Sequence, residues 1–157
     1  MIRLRALAIA MALLASVASI QPLLAQTSDT PSGMLKADIK LSALRRQQDN
    51  AVMLRGLTNL PDGTRLYVAL IAPNGAMIES LSTVVAGGAF QSGPYTVRGQ
   101  MLPAGAYSAA IDSAAPAQQP SNVQSALGRR GEKLTGPLVK AQREGRRVIT
   151  TMPVSVP

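Results

Sequence analysis

The sequence predicts a mainly β protein, an antiparallel sandwich or barrel with one short helix and a C-terminal β-hairpin. Short runs in which apolar and polar residues alternate are typical of half-buried strands. Turn signals recur about every eight to twelve residues, as they do in all-β sandwiches and barrels. The 13 glycines and 11 prolines punctuate the chain too often for long helices.

The first 25 residues have the parts of a secretory signal peptide. Arg3 and Arg5 precede an apolar or small run of 15 residues at 6–20, and Ala25 precedes a polar stretch. A membrane-spanning helix needs roughly 20 apolar residues, so we expect cleavage after Ala25 and export to the periplasm or the exterior. An uncleaved membrane anchor is the alternative, if residues 21–24 also enter the bilayer.

Cleavage would leave 132 of the 157 residues, enough for one domain. Residues 26–33 are polar and contain a proline, and we expect them to form a flexible tether. The single domain is then predicted to cover residues 34–157. It lacks cysteine and must be held together by packing alone.

Four strands are predicted in the first half of the domain. Residues 35–42 alternate with a period of two and predict the first strand, and residues 43–50 predict a polar turn. A mostly apolar strand is predicted at 51–57. The turns LPDGT and APNGA flank residues 65–71, which are predicted to pair with 77–85 as a hairpin.

The following segment predicts a second hairpin. Residues 89–92 form a short strand that ends at Gly93-Pro94, after which residues 95–102 and 106–112 are predicted to pair around the turn at 103–105. The period of two on residues 65–71 and 106–112 also predicts an inward-facing set. This set is Leu66, Val68, Leu70, Tyr107 and Ile111.

The last quarter predicts a helix and a closing hairpin. Ser121 is expected to cap a short helix at 121–127, in which Val123 and Leu127 share one face and which Gly128 ends. The hairpin covers 138–156, with strands at 138–142 and 147–156. Pro153 cannot donate to a ladder, so this part of the last strand is expected at a sheet edge.

The residue types argue against catalysis. Histidine and cysteine are absent, which removes the commonest general base, nucleophile and transition-metal ligands. We therefore expect a protein that is not an enzyme and that uses neither cofactor nor metal. The alternatives left open are a pair of carboxylates brought together by the fold, for instance Asp62 with Asp112, and a serine activated by a lysine.

Basic residues are concentrated near the C-terminus. Removal of Arg3 and Arg5 lowers the net charge from +8 to +6, and the segment 129–147 carries an excess of five, because it has seven basic residues against Glu132 and Glu144. The candidate residues for binding an anionic surface are Arg129, Arg130, Lys133, Lys140, Arg143, Arg146 and Arg147. A solvated hairpin whose edge is protected by charge is the competing interpretation.

Few aromatic residues are present to bind bases or sugars. Phe90 and the three tyrosines Tyr67, Tyr95 and Tyr107 are the complete set, and tryptophan is absent. Single-stranded nucleic acids and carbohydrates are commonly held by stacking on such rings. Specific nucleic-acid binding is therefore not expected.

Two stretches resemble known proteins. The motif LPAGAY at 102–107 resembles a pattern of exported transthyretin-like and carboxypeptidase-regulatory-like β-sandwiches, in which a Pro-Gly turn leads into a strand with an inward tyrosine. This resemblance covers about residues 34–112, assigns the tyrosine role to Tyr107 and implies an immunoglobulin-like or transthyretin-like sandwich. Residues 119–139 are similar to a tail of exported bacterial proteins, which implies no activity.

Together these observations predict a non-catalytic, exported module that binds or supports other components of the cell envelope. Its partner would be another envelope protein or an anionic envelope surface. Binding of an anionic lipid or polymer through the basic C-terminal segment is the second hypothesis. An enzyme that uses carboxylates or serine and lysine is the third.

Overall fold

A computed structural model describes residues 33–157. The predicted signal peptide at 1–25 and all but the last residue of the predicted tether lie outside this range. The strands are β1 (Leu35–Lys36), β2 (Ile39–Arg45), β3 (Val52–Thr58), β4 (Arg65–Ile71), β5 (Met77–Val84), β6 (Ala89–Tyr95), β7 (Gly105–Ser113), β8 (Leu134–Thr135), β9 (Val139–Gln142) and β10 (Gly145–Val156). A 3₁₀ turn (Pro116–Gln118) and helix α1 (Ser121–Leu127) lie between β7 and β8.

Two antiparallel sheets form a β-sandwich-like fold, as the sequence predicts. The larger has the order β5-β4-β7-β10-β9 and the smaller the order β2-β3-β6. A third, two-stranded sheet pairs β1 with β8 in parallel. Strand β7 therefore lies in the middle of the larger sheet, between β4 and β10, and β5 and β9 form its edges.

The predicted inward-facing set is confirmed. Leu66, Val68 and Leu70 of β4 are completely buried, and Tyr107 and Ile111 of β7 are also buried. The smaller sheet adds inward side chains that include Val52, Leu54, Phe90 and Tyr95. Pro153 lies in the part of β10 beyond its pairing with β9, which is limited to Gly145–Val148, so the predicted edge position is also confirmed.

The first predicted strand is wrong in its continuity. The chain leaves β1 at Ala37 and starts β2 at Ile39, so the two halves belong to different sheets. Asn59 explains the break, because its side chain accepts a hydrogen bond from the Asp38 N–H (2.9 Å) and donates one to the Lys36 carbonyl (2.8 Å). The predicted turn at 43–50 also starts too early, since β2 continues to Arg45.

The second predicted hairpin is wrong. Tyr95 ends β6 instead of starting a strand, and β7 pairs with β4 and β10. Residues 97–100 form a tight turn, because Arg98 and Gly99 have φ values of 51° and 76° and Val97 and Gln100 exchange two backbone hydrogen bonds. Arginine gives no turn signal in a sequence, which is why the pattern misplaced this segment.

Candidate functional site

Helix α1 leads directly into the basic segment. Val123 and Leu127 are buried on one face, as predicted, and Gly128 ends the helix with φ 91°. The predicted cap is wrong, because Pro120 holds the N-cap position and Ser121 is already helical. After Gly128 the chain turns sharply, and the Gly131 N–H donates to the Gly128 carbonyl at 3.0 Å. The loop 128–131 is therefore a tight turn between α1 and β8, with Arg129 and Arg130 exposed at its tip.

This loop packs on the start of the C-terminal hairpin. The Arg146 N–H donates to the Arg130 carbonyl at 2.7 Å, and the Arg130 guanidinium donates to the Arg143 carbonyl at 3.3 Å. Gly131 lies so close to the Arg146 carbonyl that a Cβ at this position would overlap it. Two segments separated along the chain thus become one surface.

Four arginines are exposed on this surface, which we call the arginine face. Its residues are Arg129, Arg130, Arg143 and Arg146. Arg146 is partly fixed, since its Nη1 donates to the Leu134 carbonyl at 3.3 Å. Guanidinium groups are planar, permanently charged donors that match carboxylate, sulfate and phosphate oxygens, so the face has the chemistry of an anion-binding surface.

The other three predicted residues have separate environments. Lys140 is exposed on β9, directly across from Arg147 of β10. Lys133 is half-buried, and its Nζ donates to the Ser125 carbonyl at 3.2 Å. Arg147 lies on the outer side of the larger sheet, so the seven residues predicted from the sequence do not form one patch.

Arg147 has an acidic partner that sequence reasoning missed. Its Nε is 3.4 Å from Oδ1 of Asp112. Burial raises the pKa of Asp112, and the nearby charge of Arg147 opposes this shift. The pair joins β10 to β7, and no local sequence signal relates the two residues. Arg147 is therefore partly neutralised and does not add its full charge to the arginine face.

The acids of the segment leave the arginine face basic. The Glu132 carboxylate accepts the Arg130 N–H at 2.9 Å, and hydrogen bonds from the backbone lower the pKa of this carboxyl. Glu132 thus serves as the hydrogen-bond acceptor for the Arg130 N–H of the loop. Glu144 is exposed in the hairpin turn. Two acids remain beside four arginines.

The structure gives the two acids considered for catalysis different partners. Oδ1 of Asp62 accepts the Gly88 N–H at 3.3 Å, whereas Asp112 faces Arg147. Within residues 33–157, no three acidic side chains gather into a possible metal site. A cavity of about 10 Å³ between α1 and the sheet, lined by Ser113 and Gln119 among others, has room for about one water molecule.

Comparison of the chain with family models, curated proteins and solved structures found no match. The resemblance to transthyretin-like and immunoglobulin-like sandwiches stays a prediction. No helix between Gly33 and Pro157 has the length and apolar character to span a membrane. Fold and site together define a mainly β, antiparallel protein that carries a basic surface at one end of its larger sheet.

Proposed function

We propose that this chain is a non-catalytic, exported binding module of the cell envelope that holds an anionic lipid or polymer on its arginine face. Export is supported by the N-terminal sequence, with its two arginines, its apolar run and Ala25. The periplasm or the exterior would then be its location, and an anionic envelope surface its partner.

One observation carries the proposal. The hydrogen bond from Arg146 to Arg130 fixes the loop 128–131 against the hairpin and places four exposed arginines on one surface. A hairpin that only protects its edge needs charge on the strand, as Lys140 provides, but does not need a second loop fixed beside it. The arrangement therefore favours binding over edge protection.

The proposal is tested by charge reversal on the exported protein. The variant Arg129→Glu, Arg130→Glu, Arg143→Glu leaves Arg146 and Arg147 in place, because both contact other parts of the fold. Its matched control is Lys40→Glu, Arg55→Glu, Arg98→Glu, which makes the same change in net charge at other exposed positions. Circular dichroism checks that both variants fold.

Retention on immobilised heparin, a sulfated polyanion, is the readout. We expect the parent and the control to be retained at low salt and the arginine-face variant to elute early. Retention of the parent should fall steeply with salt, since at about 0.15 M exposed charges act over only about 8 Å. Equal elution of the two folded variants, or an unretained parent, would contradict the proposed function.

A further inference from the structure

The first strand of the domain lies beside the arginine face. In the parallel pair β1–β8, the Leu35 N–H donates to the Lys133 carbonyl at 2.7 Å and the Ala37 N–H to the Thr135 carbonyl at 3.0 Å. The chain that precedes Leu35 therefore joins the domain at the strand that directly follows the loop 128–131.

Strand β8 is also bonded directly to both parts of the arginine face. The Leu134 N–H donates to the Gly131 carbonyl at 3.0 Å, and the Leu134 carbonyl accepts the Arg146 guanidinium at 3.3 Å. One backbone position thus links the loop, the hairpin and the sheet that contains the first strand. The N-terminal junction and the arginines belong to the same end of the fold.

The end of the fold opposite the arginine face lies at the C-terminal end of β10. Strand β10 starts at Gly145 beside the arginine face and has 12 residues, which span about 40 Å at about 3.3 Å per residue. At its far end, the Pro157 carbonyl accepts the Arg45 Nε at 2.6 Å. The turn at 46–50, which follows Arg45, therefore belongs to the far end of the domain.

We propose that the arginine face docks on the anionic phospholipid headgroups of a bilayer, with the N-terminal junction on the bilayer side. This inference rests on the proposed function and names its ligand. The supporting observations are the charge of the face and the place where the preceding chain joins it. Before cleavage after Ala25 the apolar N-terminal run would lie in the membrane, and because residues 26–33 span at most about 3.6 Å each, the domain would stay within about 30 Å of the membrane during export.

Charge and apolar anchoring would act together only in the uncleaved chain. After cleavage the arginine face alone would hold the domain at the bilayer, and a single membrane signal of this kind gives reversible binding. Each arginine near an anionic surface adds to the electrostatic attraction. Docking by the far end would instead direct the arginines away from the bilayer.

The lack of cysteine makes the orientation measurable with single labels. Gln142→Cys places a label on β9 beside the arginine face, and Gln48→Cys places one on the turn at the far end. Both positions are exposed. The exported protein carries an environment-sensitive fluorophore at one or the other site, and is mixed with vesicles of phosphatidylcholine alone or of phosphatidylcholine with phosphatidylglycerol.

We expect the label at residue 142 to brighten only with the anionic vesicles, and the label at residue 48 to stay unchanged. The charge-reversed variant Arg129→Glu, Arg130→Glu, Arg143→Glu should abolish the response, and the control triple variant should keep it. Brightening at residue 48 would overturn the orientation. Heparin retention through the arginines without any vesicle response would overturn the lipid assignment while the proposed function stands, and loss of both would overturn both.

Discussion

Gly145 lies against the backbone carbonyl of Arg130, with no room for a side chain between them. Its φ is 127°, in a region that residues with a Cβ rarely adopt. We expect Gly145→Ala to lower the free energy of unfolding by about 1 to 3 kcal/mol through backbone strain. The substitution should also weaken heparin retention without any change of charge, because the loop must move away from the hairpin.

Gly75→Ala is the matched control. Gly75 also has a positive φ, 83°, but no atom lies within 4 Å of its added Cβ. This variant should lose stability through strain alone and keep the heparin retention of the parent. If a folded Gly145→Ala protein eluted with the parent, the fixed contact between loop and hairpin would not be needed for binding.

The second prediction concerns the stability of the core variant Leu70→Ala. Leu70 is completely buried on β4, so its truncation should cost about 2 to 5 kcal/mol, as removal of a core leucine usually does. Leu57→Ala is the control, since Leu57 is 53% exposed. Chemical denaturation of both variants tests the assignment, and equal midpoints would contradict the strand faces described above.

Local patterns predict two elements with their correct bounds. The predicted strand at 65–71 coincides with β4, and the helix at 121–127 coincides with α1. Each depends on residues that are neighbours in sequence, such as alternating leucine and valine or a closing glycine. The break after β1 depends instead on the side chain of Asn59, which comes from a distant segment and leaves no trace in the local pattern.

The candidate site, too, was only partly predictable from the sequence. The density of basic residues at 129–147 is a property of the sequence and was visible there. Which of them share a surface depends on tertiary contacts. The Arg146 N–H donates to the Arg130 carbonyl, whereas Arg147 forms an ion pair with Asp112 on the outer side of the larger sheet. The sequence predicts only that Gly128 ends the helix, whereas the structure shows that Gly131 also lies directly against the Arg146 carbonyl.

The third prediction concerns Gln119, whose side chain makes hydrogen bonds to the backbone of Arg65 in β4 and of Ala114, the residue after β7. Its Oε1 accepts the Arg65 N–H at 2.8 Å, and its Nε2 donates to the carbonyls of Arg65 and Ala114, each at 3.1 Å. Gln119→Leu removes these hydrogen bonds from the Arg65 N–H and the Ala114 carbonyl, whereas the Arg65 carbonyl keeps the Ala114 N–H at 3.0 Å, so we expect a loss of about 1 to 3 kcal/mol in denaturation experiments. Gln91→Leu, at an exposed position of β6, should change stability by less than about 0.5 kcal/mol.

Tyr95 predicts a dependence of stability on alkaline pH. Its hydroxyl is buried, donates to the Val68 carbonyl at 2.7 Å and lies 2.7 Å from the Ser92 hydroxyl. Burial raises the pKa of Tyr95 above its ordinary value of 10.0, against a smaller opposing effect of the Ser92 hydrogen bond. The folded state thus keeps a proton that the unfolded state releases as pH rises through 10.0.

The contribution of Tyr95 to stability should therefore be complete below pH 10.0 and be lost as pH rises further toward the pKa of the folded state.

Tyr95→Phe removes both the hydroxyl and this titration. At neutral pH we expect the variant to lose about 1 to 3 kcal/mol, because the Val68 carbonyl loses its buried donor. Tyr67→Phe is the control, since Tyr67 is 47% exposed on the outer side of the sheet. Urea unfolding below and above pH 10.0 tests this prediction. The difference in free energy of unfolding between the parent and Tyr95→Phe should be smaller at the higher pH. A constant difference would contradict the buried, protonated state of Tyr95.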